Sequence, residues 1–420
     1  MIRKLLLPIL VIALIPMMAS EPLLAADPPQ AIFYYAPAVP LVNMTVAFDA
    51  SASKTGGPTI TIVNHEWNFG DGTPKVNTSE NLTTHVFSIA KDYTVTLNVT
   101  DSQGLWNTTS KTVTVYTFNL TVATDKRKYD RFDTVNVTGT FRSIPENIPV
   151  LESLVGVDIR KPDGSSFLFR IRPTSLVSGP WTISFTKFYT CDSNMVPKTS
   201  FTKGEDIWVY AEWENSDIMQ TYNVTTCIVF LDSNLAPIAN PSTYSTLTFP
   251  GIPGSVFFRA QQIMDSGFVG GVVMYGCLFT QFPSNGGYPY SPEWSASFTI
   301  SRSLSSPQPN MSKSAVELFP PDGTYDFAFR FPFSTAPMGN YTIHVSSLYY
   351  DRLFRGNTTL TLYAIGDVNG DGVVDIYDAI TLAKAYNSSP GSPNWNPNAD
   401  LNSDNVVDIF DAIILANHYG

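Results

Sequence analysis

Charged residues are scarce in this 420-residue sequence. Asp, Glu, Lys and Arg make up 15% of it, against roughly 25% in an ordinary soluble domain. The charges present are mostly acidic, and the formal net charge is −11. Binding to nucleic acid or to an anionic membrane surface needs a basic face, so this balance argues against both partners. It is compatible with divalent cations, and much of the acidity is concentrated after Gly366.

Cysteine is scarce as well. The chain has only Cys191, Cys227 and Cys277, too few for a small fold held together by disulfides. Two alternatives stay open. Cys227 and Cys277, both in apolar, strand-like segments, form one disulfide, or all three residues are buried free thiols.

The first 26 residues have the features of an export signal. Arg3 and Lys4 precede the apolar stretch Leu5 to Met18, which is shorter than the roughly 20 residues that a membrane-spanning helix needs. We expect residues 1–26 to be a signal peptide, with a retained membrane anchor as the alternative. No later segment could span a bilayer, so the expected mature protein is secreted, without membrane insertion. Asn-x-Ser/Thr sequons such as Asn136 suit a glycoprotein.

The length of the chain predicts several domains, because one domain usually has about 100–200 residues. Residues 29–117 are expected to form the first. Segments in which polar and apolar residues alternate, such as His65 to Phe69 and Tyr93 to Thr100, are separated by turns such as Gly70-Asp71-Gly72. This pattern is typical of an all-β sandwich.

Four motifs of this first segment resemble the PKD domain, an immunoglobulin-like module of surface proteins and extracellular hydrolases. In chain order they are Phe48-Asp49-Ala50-Ser51, Trp67-Asn68-Phe69-Gly70-Asp71-Gly72-Thr73, His85-Val86-Phe87 and Tyr93-Thr94-Val95-Thr96-Leu97. The resemblance implies a spacer or adhesion module. In that family the tryptophan strand is structural, so Trp67 and Phe69 are expected to pack in the core.

Residues 118–363 continue as β structure. Residues 118–189 resemble the leading half of an extracellular immunoglobulin-like repeat, and a matching trailing half occurs only within 303–363. Residues 190–302, which contain all three cysteines, have strands of their own. The three segments are either tandem domains or a single sandwich into which 190–302 is inserted, and we favour the insertion. The expected fold class is therefore mainly β, with tandem immunoglobulin-like β-sandwiches.

Aromatic residues of this middle region have two interpretations. Trp208, Trp213, Trp294 and the loop Asn285-Gly286-Gly287-Tyr288-Pro289-Tyr290 could present rings that stack on sugars. The alternative, which we favour, is that they pack in the core and anchor the loop. Trp208 and Tyr210 share one strand face, which suits a core as well as a binding platform.

The C-terminal segment 364–420 contains one acidic motif twice. The motif begins at Asp367 and again at Asp400, a spacing of 400 − 367 = 33 residues. In each copy, oxygen-bearing side chains alternate along a twelve-residue loop, the pattern that surrounds a calcium ion with six to eight oxygen ligands. The predicted ligands are Asp367, Asn369, Asp371, the carbonyl of Val373, Asp375 and Asp378 in the first loop, and Asp400, Asn402, Asp404, the carbonyl of Val406, Asp408 and Asp411 in the second.

The sixth position of each loop supports this interpretation. Gly372 occupies it in the first loop, where the chain must turn sharply with a positive φ. Asn405 occupies it in the second, and Asn tolerates that geometry better than most residues. We expect two calcium ions. Since each loop brings several carboxylates together, binding should remove their repulsion and be coupled to folding.

The paired loops also resemble a type I dockerin. Both end in Asp at position twelve rather than Glu, and only exiting helices are predicted, at Ile376–Tyr386 and Ile409–Tyr419. The resemblance implies a small α-helical module with two calcium loop–helix motifs that binds a cohesin domain on a scaffold or cell surface. The family's contact positions correspond here to Ile376, Tyr377, Ala383, Lys384, Ile409, Phe410, Ala416 and Asn417.

The apolar pairs Ile376-Tyr377 and Ile409-Phe410 depart from well-known cellulosomal dockerins, where these positions are often small hydroxyl residues. The departure leaves two interpretations. The pairs form a more apolar interface with a cohesin-like partner, or they contact the neighbouring β-domain of the same chain.

No catalytic residue is predicted. The four histidines have no metalloprotease or triad context, and the sequence has neither a Gly-x-Ser-x-Gly elbow nor a phosphate-binding loop. The expected function is a secreted, cell-surface-associated, non-catalytic adhesion or assembly protein that docks onto a cohesin-like partner. One alternative is a carbohydrate-binding accessory of a cellulosome-like, polysaccharide-degrading complex. The other is an unrecognised glycoside hydrolase, whose pair of carboxylates sequence alone does not reveal.

Overall fold

The computed structural model describes residues 27–131, 133–302, 322–332, 336–402 and 404–419. The predicted signal peptide, 1–26, lies outside the described residues, as does the first part of the 303–363 segment. The chain divides into two compact units, Met1–Thr117 and Phe118–Gly420. None of the helices in the described ranges has the length and apolarity needed to cross a bilayer.

The N-terminal unit is a sandwich of two antiparallel sheets. The strands are β1 (Tyr34–Ala36), β2 (Thr45–Asp49), β3 (Ile62–Asn68), β4 (Val76–Thr78), β5 (Leu82–Val86), β6 (Lys91–Asp101) and β7 (Trp106–Val115). One sheet has the strand order β1-β2-β5 and the other β4-β3-β6-β7. Trp67 and Phe69 are fully buried between the sheets, as predicted. Their rings are nearly parallel, with centroids 6.3 Å apart.

The C-terminal unit begins with six strands. They are β8 (Thr117–Leu120), β9 (Ala123–Thr124), β10 (Lys128–Tyr129), β11 (Thr134–Ile144), β12 (Leu154–Arg160) and β13 (Ser166–Pro173). A second group of strands follows and forms two sheets of its own.

This second group consists of β14 (Ile183–Cys191), β15 (Ser200–Thr202), β16 (Trp208–Asn215), β17 (Tyr222–Asp232), β18 (Ser242–Thr248), β19 (Gly254–Arg259), α1 (Gln261–Ser266), β20 (Gly270–Phe279), a 3-10 turn (Pro283–Asn285) and β21 (Trp294–Ser301). Its two sheets have the strand orders β14-β16-β19 and β15-β21-β20-β17-β18. We call this group the insert. Strand β14 pairs with β16, so the change of sheet falls before Ile183 and not at residue 190, where the sequence pattern placed it.

Three further strands return to the first group: β22 (Thr324–Arg330), β23 (Gly339–Tyr349) and β24 (Arg352–Leu362). They complete two sheets, β10-β24-β23-β12-β13 and β22-β11-β8, with β9 paired to β11. We call this sandwich the host, because its sheets combine strands from both sides of the insert. The described residues are about 48% strand and 8% helix, which confirms the mainly β fold class.

The central sheet of the insert is buried on both faces. Along β17, Ile228 and Phe230 point into the core of the insert, whereas Cys227, Val229 and Leu231 pack into the core of the host. A strand covered on both faces must be apolar throughout, which explains the unbroken run from Cys227 to Leu231.

Close packing between host and insert requires a glycine at one position of β12. A Cβ atom on Gly156 would lie 2.7 Å from the Phe279 ring and 3.2 Å from Pro289, both in the insert. A side chain there would push the two sandwiches apart.

All three cysteines are buried free thiols. Cys227 and Cys277 lie directly opposite each other on β17 and β20, and burial raises the pKa of both thiols well above the usual value. Of the two alternatives left open by the sequence, the structure has the free thiols.

Two helices end the chain, α2 (Ile376–Ala385) and α3 (Ile409–Asn417). They share a small core whose buried members include Val374, Leu382, Val407 and Leu415. Backbone hydrogen bonds join the two halves, from Asn387 N–H to the Val407 carbonyl at 2.8 Å and from Val407 N–H to the Ser388 carbonyl at 2.9 Å.

Candidate functional site

The first acidic loop is closed by the start of α2. Asp375 is the N-cap of this helix, and its carboxylate accepts a hydrogen bond from Tyr377 N–H at 2.8 Å. Asp378, three residues later, is fully buried and accepts from Asp375 N–H at 2.8 Å, which completes a capping box. The other oxygen of Asp378 accepts from Asn369 N–H at 3.0 Å, so this side chain joins the beginning of the loop to its end.

Backbone amides also surround Asp367. Its Oδ1 accepts from Gly370 and Asp371 N–H at 2.8 and 3.1 Å, and its Oδ2 accepts from Gly372 N–H at 2.8 Å. Gly370 and Gly372 have φ of +80° and +87°, a backbone conformation open to glycine at little cost. The tight turn that they form brings Asp367, Asp371 and Asp378 together, and one oxygen of each lies within 4.8 Å of the others.

The second loop repeats these contacts. Asp400 accepts from Asp404 N–H at 3.1 Å and from Asn405 N–H at 2.9 Å. The buried Asp411 accepts from Leu401 N–H at 2.7 Å and from Asp408 N–H at 2.8 Å, and Asp408 caps α3. Asn405 has φ of +70°, as expected for a residue that stands where the first loop has Gly372. In the described residues, three carboxylates converge within 4.8 Å only in the first loop.

The donor set of each loop fits calcium. Carboxylates, the Asn369 or Asn402 amide and a backbone carbonyl are hard oxygen donors, which is the ligand type calcium prefers. Asn369 and Asn402 each donate a hydrogen bond to the aspartate two residues later, at 2.9 and 2.8 Å. Val373 and Val406, predicted to contribute only their carbonyls, have exposed side chains. Asp375 and Asp408 act in the structure as helix caps.

The eight predicted partner-binding residues are all exposed. The two apolar pairs stand out, since the side chains of Tyr377 and Phe410 are 64% and 60% accessible. They start corresponding helices, one in each half. Side chains this exposed are accessible to a partner molecule.

Other residues connect the helical segment to the host. His418 Nε2 lies 3.5 Å from Asp130 Oδ2, and Arg131 Nη2 donates to the Gly372 carbonyl at 3.5 Å. Neither of these two contacts involves the apolar pairs.

An apolar groove of about 730 Å³ lies between α2 and α3. Its lining includes Ala383 and Ala416, which sequence reasoning selected, and Tyr386 and Tyr419, which it missed. The two tyrosines are half exposed. They are 419 − 386 = 33 residues apart, so the repeat spacing that revealed the loops could also have found them.

Comparisons with known proteins identify the two ends of the chain. The family model of the PKD domain matches residues 27–116, and that of the type I dockerin domain matches residues 365–418. Both resemblances seen in the sequence are thereby confirmed. Type I dockerin domains bind calcium, and the acidic cluster of the first loop is consistent with that property. No curated protein matches the chain.

Three solved structures show distant similarity to the chain. One, from work on carbohydrate-binding modules of the β-sandwich superfamily, is 13% identical, with coverage of 80% of this chain and 95% of the other and a TM-score of 0.21. The fibronectin(III)-like modules of Clostridium thermocellum CbhA are 9% identical, with coverage of 52% and 94% and a TM-score of 0.18. A Salmonella alpha-2-macroglobulin reacted with methylamine is 8% identical, with coverage of 80% and 31% and a TM-score of 0.19.

Proposed function

We propose that this chain is a secreted, non-catalytic assembly or adhesion protein that attaches to a cohesin-like domain through its calcium-loaded dockerin. The observation that carries the proposal is the arrangement of the two loop–helix halves. In each, an aspartate shared by loop and helix sets the position of the helix start, and an exposed apolar pair directly follows the N-cap.

Two calcium ions are part of the proposal, one in each loop. The twelve ligands are those predicted from the sequence, with Asp378 and Asp411 closing the two shells. Calcium would neutralise the converging carboxylates and hold each loop against its helix, since the same side chains complete the capping boxes.

Calorimetric calcium titration of the full chain tests the metal sites. The wild type should bind two ions, Asp378→Asn and Asp411→Asn should each bind one, and the double variant should bind none with comparable affinity. Asn has one acceptor oxygen, which can keep the bond from the N-cap amide, whereas the bond from the beginning of the loop and one anionic ligand are lost. Two ions bound by the double variant would contradict the ligand assignment.

The docking surface is tested separately, on immobilised cohesin domains of several types with calcium or chelator. We expect calcium-dependent retention that is lost when Ile376, Tyr377, Ile409 and Phe410 are all changed to Ala. The control replaces Ile218 and Met219 with Ala, since these insert residues are 80% and 84% exposed. Retention of the quadruple variant, or no cohesin bound by the wild type, would overturn the docking proposal.

A further inference from the structure

A cleft of about 410 Å³ lies within the C-terminal unit, where the host meets the insert. The host contributes Glu152, just before β12, and Asp351, in the turn between β23 and β24. The insert contributes Tyr222 at the start of β17 and the tyrosines of the loop after the 3-10 turn. Its size is in the range of small-molecule sites, which are usually about 300–1,000 Å³.

Aromatic rings form much of the cleft wall. Tyr290 makes edge-to-face contacts with two tyrosines. The ring centroids are 5.9 Å apart with an interplanar angle of 82° for Tyr222, and 6.3 Å apart with an angle of 61° for Tyr288. Trp181 and Tyr349 also line the cleft, and all five side chains are partly buried. Partly exposed rings of this kind combine an apolar face with a polar edge. The pyranose ring of a sugar has the matching character, with an apolar C–H face and hydroxyls around its edge.

The loop that carries Tyr288 and Tyr290 is held in place before any ligand arrives. Thr280 and Tyr288 are joined by two hydrogen bonds, of 3.0 and 3.1 Å, and Tyr290 N–H donates to the Leu278 carbonyl at 2.9 Å. From the host, the buried Ser346 hydroxyl donates to the Gly287 carbonyl at 2.5 Å. A preformed wall reduces the entropy lost on binding.

The charge of the cleft restricts its ligand. Glu152 and Asp351 are exposed, and within the described part of the chain neither carboxylate has a hydrogen-bond or ion-pair partner. No lysine or arginine is among the described lining residues. Two free carboxylates accept hydrogen bonds from hydroxyl groups, and they repel an anionic ligand.

The backbone of the cleft rim is unusual in the same place. Glu152 and Asp351 both have φ of +55°, and Tyr350 beside the latter has φ of +48°. Tyr350 and Asp351 are the two central residues of the β23–β24 hairpin, which the Tyr349–Arg352 pair closes, and a two-residue turn of this kind requires positive φ at both. The turn places Asp351 on the rim of the cleft.

We propose that this cleft binds a neutral oligosaccharide, with the tyrosines stacked against its sugar rings and Glu152 and Asp351 accepting hydrogen bonds from its hydroxyls. The site was only partly foreseen: the Gly/Tyr-rich loop contributes to it, but the tryptophans considered with that loop do not. Trp213 is fully buried and donates to the Thr248 hydroxyl at 2.9 Å, and Trp208 stacks on Phe257 at 4.7 Å. The proposal is independent of cohesin docking.

Affinity electrophoresis of the full chain tests it, in gels containing soluble β-glucan, xylan, galactomannan or polygalacturonate, each with and without chelator. We expect at least one neutral polysaccharide to retard the protein, with no effect of chelator, and the anionic polygalacturonate to have no effect. Tyr288→Ala should weaken binding by roughly tenfold, the upper size of one aromatic contact.

Asp351→Asn is the variant that keeps the fold, because Asn tolerates the positive φ. It should weaken binding severalfold, since a neutral amide accepts hydrogen bonds from hydroxyls less strongly than a carboxylate. Trp106→Ala, which removes an exposed tryptophan of the N-terminal unit, is the matched control and should bind like the wild type. The proposal is overturned if no neutral polysaccharide binds, if polygalacturonate binds best, or if both cleft variants bind like the wild type.

Discussion

Asp378 and Asp411 each belong to a loop and to a helix at once. The two oxygens of Asp378 accept hydrogen bonds from Asn369, near the beginning of the loop, and from Asp375, the helix cap. Asp411 makes the corresponding contacts with Leu401 and Asp408. A metal ion bound by these carboxylates therefore also affects the first turn of each helix, because the same side chains hold the helix caps. This is the physical basis for expecting calcium and helix formation to be coupled.

The sixth loop position gives a residue-scale prediction. Gly372→Ala should destabilise the first loop by about 1–2 kcal/mol, because a Cβ atom at positive φ meets the neighbouring carbonyl. Space is not the cause, since only Met338 lies within 4 Å, at 3.8 Å. Calcium titration should therefore show one weakened site out of two.

Two further variants serve as controls for that prediction. Gly372→Asn should cost less than Gly372→Ala, because Asn already occupies the same conformation at Asn405. Asn405→Gly should leave the second site at least as strong as in the wild type. Equal calcium affinity of Gly372→Ala and the wild type would show that the turn does not limit binding.

A histidine of the PKD domain gives a second residue-scale prediction. Burial lowers the pKa of His65 below its ordinary value of 6.5, and its Nδ1 is buried without a hydrogen-bond partner among the described residues. The folded state thus favours the neutral ring. The stability that this contributes is present above pH 6.5 and is lost as pH falls through the lowered pKa.

The measurement is the melting temperature of the PKD transition between pH 7.5 and 5. It should fall with pH in the wild type, and less steeply in His65→Gln, which cannot take up a proton. Comparing the two variants separates the effect of His65 from that of His85, the other histidine of this domain. His85 Nε2 lies 2.7 Å from Asp71 Oδ2. Parallel pH curves would contradict the assignment.

At the scale of elements, the sequence predicts what is encoded locally and fails where distant strands meet. The calcium loops were readable because their proposed ligands fall within twelve consecutive residues, and the PKD strands because their motifs adjoin their turns. The pairing of Asp158 in β12 with His344 in β23 leaves no local signal. The tandem and the inserted arrangement contain the same strands, so the sequence pattern could not distinguish between them. Only the tyrosine loop of the cleft was predicted, for the same reason, because Glu152, Tyr222 and Asp351 meet it only after folding.

The contact between host and insert gives an element-scale prediction. Glu293, beside β21, holds the buried Arg170 of β13 through both carboxylate oxygens, at 2.6 to 3.1 Å, and accepts from Ile171 N–H at 2.8 Å. Glu293→Gln should destabilise the C-terminal unit by about 3–5 kcal/mol, because it leaves a buried guanidinium without its counter-ion.

Chemical denaturation of that unit measures the effect. The matched control is Asp206→Asn, which breaks the exposed Arg259–Asp206 pair of the same unit and should cost less than about 1 kcal/mol. A similar small loss in both variants would mean that water reaches Arg170 and screens its charge.

At the scale of the whole molecule, the hydrophobic cores separate the two units. Every member of the PKD core lies between Ala31 and Val115, whereas the host core draws on the insert through Cys227 and Phe279. The dockerin has its own small core but touches the host through Asp130 and Arg131. Calcium bound at one end should therefore be felt in the C-terminal unit and not in the PKD domain.

Scanning calorimetry of the full chain with calcium and with chelator tests this division. Chelation should lower the transition of the C-terminal unit, because a ligand present at about 100 times its Kd contributes roughly 2.7 kcal/mol to the stability of the state that binds it. The PKD transition should stay in place, and residues 27–117 expressed alone should melt at the same temperature, since their core is complete. A PKD transition that moves on chelation would mean that the two units are energetically coupled.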